Sequence, residues 1–270
     1  MEQTKENVPR VAASSYLNTA PLIWSFIYGS KQGEVELLTD AAPAVCGDIL
    51  AKGGAEVALV PVIEYQRIAN VLVVPDVCVG SRERVRSVVL ATRRKDLKNI
   101  RTIALDTSSR TSSVLVQVIF REFLGIEPMC MASVPDLTTM LETNDAALII
   151  GDPAMMFPRE DLEVYDLANL WSEYTGFGFV FAMWMARDSA VRNALAIDFA
   201  AARDEGLAHL DDIIDMYHPQ LDLPREELRT YLLDNITFTL DSDMLGGLEL
   251  YFALAHKHGF IDSILPLKMI

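Results

Sequence analysis

The chain is short of cysteine, histidine and positive charge, and each shortage narrows what it does. Cys46, Cys78 and Cys130 are the only cysteines. Their number is odd, they are widely spaced and no histidine stands near them, so neither a disulfide framework nor a structural zinc site is supported, and a reducing compartment fits. The four histidines, His209, His218, His256 and His258, all fall in the C-terminal third. His256 and His258 are two apart, a spacing that turns them away from each other on a helix, so no metal site is expected.

Basic residues number 23 against 38 acidic ones, a formal net charge of −15. That balance repels nucleic acid and anionic membrane surfaces. A small anion is still acceptable, because N–H groups and hydroxyls act over ångströms while surface charge is screened beyond about 8–10 Å. No apolar run reaches the ~18 residues of a membrane span. Met1 to Arg10 mixes Glu2, Lys5 and Glu6 with polar residues and has no apolar signal core, so a cytoplasmic location is expected. Also missing are a GxGxxG opening a helix, GxxxxGK[ST], GxSxG and HExxH, which leaves dinucleotide, P-loop, hydrolase-elbow and zinc-protease readings without their motifs.

What is present is ample core: 51% of the 270 residues are hydrophobic, enough for one large or two moderate domains. Short apolar runs read as buried strands at 8–13, 35–38, 57–60, 87–91, 102–105, 146–150 and 179–185. Helix-like stretches alternate with them at 21–28, 43–51, 111–124 and 137–142, the pattern of an α/β fold with a mainly parallel, doubly covered sheet. In the last third, apolar spacing near 3.6 predicts one long amphipathic helix over 189–216 and a second over 242–256, capped by Asp241 or Ser242. Ser87 to Asp96 and Phe179 to Asp188 look like crossings between two lobes. On that reading, residues 1–92 and 184–270 make one lobe and 93–183 an inserted second lobe, with a ligand between them at the carboxyl ends of the strands.

The sharpest local feature is the run Leu105-Asp106-Thr107-Ser108-Ser109-Arg110-Thr111-Ser112-Ser113, which follows a strand and opens a helix. A helix N-terminus offers unpaired N–H groups and about half a positive charge, so hydroxyls there bind a carboxylate or phosphate without a cationic side chain. Ser108 or Ser109 acting as a plain N-cap is the alternative, although one cap needs only one hydroxyl. A second such turn, Ser14-Ser15-Tyr16-Leu17-Asn18-Thr19-Ala20-Pro21, makes Thr19 or Ala20 a cap and leaves Ser14 and Asn18 as turn or ligand residues. Gly151-Asp152-Pro153 has the same layout, with Asp152 read as an N-cap and Pro153 at the first helical position. Arg110 either holds a ligand carboxylate or pairs with Asp106 or Asp152.

Taken in order along residues 8–187, several segments resemble the chorismate dehydratases of menaquinone biosynthesis. They are Ser15-Tyr16-Leu17-Asn18-Thr19-Ala20-Pro21-Leu22, Val60-Pro61 with Glu64-Tyr65, Ser87-Val88-Val89-Leu90, Ser109-Arg110-Thr111-Ser112, Gly151-Asp152, and Trp171 through Thr175-Gly176 to Phe179–Trp184. One departure is Thr175-Gly176-Phe177-Gly178-Phe179, where the family often has Thr-Gly-Leu-Pro-Phe.

The resemblance implies a type 2 periplasmic-binding-protein-like fold, with mixed sheets covered by helices and two hinge strands. It implies conversion of chorismate to 3-[(1-carboxyvinyl)oxy]benzoate and water in the futalosine route. Aromatisation drives that reaction, so neither a metal nor a redox cofactor is expected. By the same resemblance Asn18 stands closest to the chemistry, positioning the leaving hydroxyl or directing a substrate carboxylate to take the proton. Ser14, Tyr16, Ser87, Ser109, Arg110, Thr111, Ser112 and Asp152 are the candidate substrate-binding residues. Two rivals remain: the sister enzyme 1,4-dihydroxy-6-naphthoate synthase, for which a histidine near the ligand is expected, and a cytoplasmic aromatic-acid sensor without turnover.

Overall fold

A computed structural model describes residues 8–39 and 42–270. The first seven residues of the polar N-terminal stretch, read above for a signal, lie outside the described residues. In chain order the first elements are β1 (Arg10–Ala12), α1 (Ala20–Ile27), β2 (Glu36–Leu38), α2 (Pro43–Ala51), β3 (Val57–Pro61), β4 (Val71–Ser81) and β5 (Val88–Thr92). Next come β6 (Thr102–Asp106), α3 (Arg110–Val118), β7 (Met129–Ser133), α4 (Leu137–Thr143), β8 (Ala146–Ile150), α5 (Pro153–Met156), β9 (Glu163–Asp166), α6 (Leu167–Thr175) and β10 (Phe179–Arg187). Helices complete the chain: α7 (Val191–Leu195), α8 (Phe199–Ala208), α9 (Leu210–Leu221), α10 (Arg225–Thr230) and α11 (Ser242–Lys257).

Two five-stranded sheets carry the fold, in the orders β2-β1-β3-β10-β4 and β7-β6-β8-β5-β9. Each has a parallel trio and one antiparallel member, fourth in the order, that lies between the third and fifth strands. The antiparallel member of each sheet arrives from the other side of the molecule. β5 leaves the first sheet to pair with β8 and β9, and β10 leaves the second to pair with β3 and β4. The chain therefore passes between sheets at 81–88 and again at 175–179, several residues before the 93 and 183 read from the sequence. Each crossing run is taken up whole by the sheet it enters.

The seven apolar runs read as strands lie in strands of these sheets, and three further strands, β4, β7 and β9, accompany them. The single helix expected over 189–216 is instead three: α7, α8 and α9. Asp198 interrupts the run by capping α8, its side chain accepting from Ala201 N at 2.8 Å, and the backbone turns again at His209. Gly206 lets α8 seat on α1, since a Cβ there would overlap the carbonyl of Pro21. α11 matches its expected span, with Asp241 as cap accepting from Met244 N at 2.9 Å.

The main apolar core runs through both lobes. Trp171, Trp184, Tyr231, Tyr251 and Phe120 are its largest wholly buried side chains. Met183 and Met185 are fully buried in it and fill the core. Burial of such side chains stabilises by roughly 1.5–3 kcal/mol each, which fixes the sheets as a frame for the loops at their edges.

Candidate active site

The carboxyl ends of β1 and β3 in one sheet, and of β6 and β8 in the other, face a common cleft of about 560 Å³, mouth included. Its polar lining comes from two helix N-termini: Ser14, Tyr16, Asn18 and Thr19 before α1, and Ser109, Thr111 and Ser112 at α3. Its apolar walls include Leu59, Val79, Val85, Val88, Ile150 and Phe181. Among the lining residues the only ionisable side chain is that of Tyr16, and no histidine is there.

The turn before α1 is closed by its own backbone, with Thr19 N donating to Tyr16 O at 2.9 Å and Ala20 N to Leu17 O at 3.1 Å. Thr19 occupies the N-cap position but makes no side-chain cap bond. Its hydroxyl instead meets Ser14 Oγ at 2.9 Å and Asn18 Oδ1 at 3.4 Å. The cap expected there is spent inside the cleft, while Ala20 N and Leu22 N find backbone acceptors in Leu17 O and Thr19 O.

At α3, Ser109 is the N-cap, its Oγ accepting from Ser112 N at 3.2 Å. The turn is held from below by buried Asp106, which accepts from Ser108 N at 2.7 Å and from Ile150 N at 3.1 Å. Burial pushes the Asp106 carboxyl up, against those N–H bonds that pull it down. Thr111 Oγ1 accepts from Ile63 N at 3.3 Å, across from the other lobe, which leaves its own hydrogen to donate.

Three sequence candidates stand outside the lining. Arg110 turns away to pair with Asp48 at 2.6 Å and Glu64 at 3.0 Å. Arg110 is thus ion-paired, with partners across the interlobe seam in place of the Asp106 or Asp152 expected from the sequence. Asp152 sits at the N-cap position of α5 without capping it. Its two oxygens accept from Leu17 N at 3.0 and 3.3 Å, joining the lobes beside Asn18. Ser87 is wholly buried behind the lining and accepts from Tyr231 Oη at 2.7 Å.

A family model described as menaquinone biosynthesis matches residues 9–257.

The chain belongs to that family.

A chorismate dehydratase from Thermus thermophilus is 29% identical over 250 residues, covering 86% of this chain and 89% of that one. Among solved structures, a protein of Archaeoglobus fulgidus aligns with a TM-score of 0.74 at 16% identity, covering 94% of this chain and 98% of that one. The periplasmic aliphatic sulphonate binding protein of Escherichia coli aligns at 0.61 and 12% identity, covering 97% and 93%. The two lobes are thus those of the periplasmic-binding-protein fold, carried here by a member of a biosynthetic family.

Within that fold the lobes meet closely over the cleft. The Tyr16 ring lies on Gly151, where φ is +67° and a Cβ would fall 2.6 Å from the ring. Glycine is required there twice over, by the backbone and by the contact. Burial raises the Tyr16 phenol, a hydrogen bond with Ser108 opposes this, and the charges of Asp106 and Asp152 add to it. Burial also pushes Asp152 up to about 6, with the Leu17 N–H pulling the other way.

Tyr231 escaped the sequence reading. It sits in a helical third whose only marks were amphipathic spacing, and no motif flags a tyrosine that packs by its ring and works by its hydroxyl. Among the described residues no cluster of His, Cys, Asp or Glu suited to a metal ion occurs, and no helix is long and apolar enough to cross a membrane.

Proposed function

We propose that the protein is a chorismate dehydratase, releasing water from chorismate to give 3-[(1-carboxyvinyl)oxy]benzoate in the futalosine route, in the cytoplasm. One observation carries the reading to this chain. Two hydroxyl-bearing helix N-termini face each other across an apolar-walled slot whose lining holds no carboxylate, histidine, lysine or arginine. An apolar slot suits a cyclohexadiene ring, and polar ends suit its two carboxylates. The T. thermophilus relative bears the name of this activity.

In this reading Ser109, Thr111 and Ser112 hold one carboxylate with the α3 N-terminus. Asn18, helped by Ser14 and Tyr16, addresses the ring hydroxyl. The ring C–H beside the hydroxyl-bearing carbon gives up its proton, and its electron pair becomes the third ring double bond. The C–O bond breaks and the hydroxyl departs, with a proton, as water. An amide is a poor base, so Asn18 donates to the leaving oxygen while one of the substrate's own carboxylates takes the ring proton. Orientation and a developing charge met by fixed dipoles carry the rate. Ser87, Arg110 and Asp152 then serve by holding the walls. A sister enzyme relying on histidine near the ligand is disfavoured by a lining without one.

The deciding experiment is incubation of purified protein with chorismate, followed by ultraviolet absorption and mass. Loss of one water with appearance of a benzoate is expected. Asn18→Ala is expected to lower turnover at least ~100-fold while chorismate still raises the melting temperature. Thermal stabilisation of the wild type without product would make it a binding protein instead.

A further inference from the structure

The chain joins its two lobes at 81–88 and 175–179, and its C-terminal end links them once more by hydrogen bonds and ion pairs. α11 starts on the second of those crossings. Gly178 N donates to Asp243 Oδ2 at 2.9 Å, and a Cβ at Gly247 would fall 2.2 Å from the Gly178 carbonyl, so the helix lies directly on the crossing backbone.

The far end of α11 is fastened to the lobe of the second sheet, at α3 and at the π-turn Ile119–Phe123 that continues it. Buried Tyr251 donates to Thr111 O at 3.0 Å. Lys257 Nζ donates to both oxygens of Glu122 at 2.8 Å, and His258 Nε2 meets the same carboxylate at 2.8 Å. Arg121 donates to His258 O at 3.3 Å, and its guanidinium lies over the Phe260 ring, 4.9 Å from the centre. Bonds to a carboxylate from charged donors are the stronger kind.

Beyond Phe260 the chain returns to the lobe of the first sheet, where the turn Val62–Gln66 after β3 catches it. Leu265 N donates to Gln66 Oε1 at 2.7 Å, and Gln66 Nε2 to Leu265 O at 3.0 Å. Tyr65 Oη donates to Pro266 O at 2.7 Å and accepts from Lys268 N at 2.8 Å. The last residues then lie along the free edge of β4, with Val73 N donating to Lys268 O at 2.9 Å and Ile270 N to Val73 O at 3.0 Å. Residues 259–264 therefore connect a helix end held by one lobe to a tail held by the other. The turn that anchors the tail also reaches across the seam, since Ile63 N donates to Thr111 Oγ1 at 3.3 Å and Glu64 pairs with Arg110 at 3.0 Å.

We propose that residues 251–270 form a strap that holds the lobes closed over the cleft, gripping α3 at one end and the turn 62–66 at the other. It rests on the fold and its contacts, whatever the ligand is. A strap of this kind lowers the ordering that binding has to impose and sets how often the cleft opens to admit a ligand.

Three backbone amides donate across the seam and report its opening: Leu17 N to Asp152, Ala44 N to Ser108 O and Ile63 N to Thr111 Oγ1. Each exchanges with deuterium when the lobes part and is protected when they are shut. Glu122→Ala with Tyr251→Phe releases the grip on α3, and Tyr65→Phe with Gln66→Ala releases the tail; none of the four residues lines the cleft. Either pair is expected to speed exchange at the three seam amides by a similar factor, at least ~5-fold, while the amides of β3 and β8, each inside one sheet, keep their wild-type rates. Combining the pairs should add little, because a strap released at one end holds nothing at the other.

Lys257→Ala removes only a side chain that is 60% exposed, so the fold is kept, and it should give the same pattern at about 2-fold. Unchanged seam amides, a uniform acceleration along the whole chain, or effects of the two ends that simply multiply would overturn the proposal. If wild-type protein left chorismate unchanged, the dehydratase reading would fall, and these exchange rates would still decide the strap.

Discussion

Asp152 shows how much one side chain can do from outside the lining of the cleft. Its carboxylate spans the seam between lobes to Leu17 N, immediately before Asn18, with the Tyr16, Tyr217 and Tyr231 phenols within its electrostatic reach. Burial raises its pKa to about 6, against roughly 3.9 in an unfolded chain. Between those values the folded protein holds a proton that the unfolded chain has released, so raising the pH favours unfolding. Stability relative to Asp152→Asn is therefore expected to be greatest near pH 4, to decline by roughly 2–3 kcal/mol as pH rises through 6, and to be level above 7. Urea denaturation of both proteins across pH 4–7.5 measures it. A difference that stays flat would mean that Asp152 is solvated like any surface carboxylate.

At the level of elements, α3 combines two uses of one helix start. Ser109 satisfies the helix by accepting from Ser112 N, and the same turn faces the cleft. Aspartate caps as well as serine and suits the helix dipole, yet it repels an incoming carboxylate. Ser109→Asp is therefore expected to keep the melting temperature within a few degrees and to weaken chorismate binding at least ~10-fold, measured by calorimetry or by ligand-induced stabilisation. A purely structural Ser109 would leave binding unchanged.

The chemistry of that turn was readable in the sequence because hydroxyls, a strand before them and a helix after them are all local. The parallel trio of the first sheet, and β6 and β8 of the second, were readable for the same reason, being short apolar runs. What escaped was the edges. β4 contains Pro75 and a left-handed Asp76, at φ 61°, inside an otherwise apolar run. β7 is largely exposed and β9 is four residues long. Edge strands are half solvated and tolerate proline, so their patterns fade. The break of the expected long helix was also hidden, because successive short helices keep their apolar residues toward the same core and preserve the spacing.

Across the whole molecule, the cleft is closed by bonds from residues distant in the sequence. Arg110 ties to Asp48 and Glu64, Ala44 N to Ser108 O at 3.2 Å, and Tyr251 Oη to Thr111 O at 3.0 Å. No local pattern announces such partners, which is why Arg110 was assigned to other carboxylates and Tyr231 to none. The exchange of β5 and β10 between sheets reaches further still. β4 touches its sheet through β10 alone among the named strands, and β10 is made last of all the strands. On a ribosome, the first sheet must wait for about a hundred further residues after β4, roughly 5–20 s at about 5–20 residues per second. Nascent chains arrested before residue 187 has emerged should remain open to protease within residues 8–81, and chains arrested after it has cleared the tunnel should not. The lobe that begins the protein is thus among the last parts to be finished.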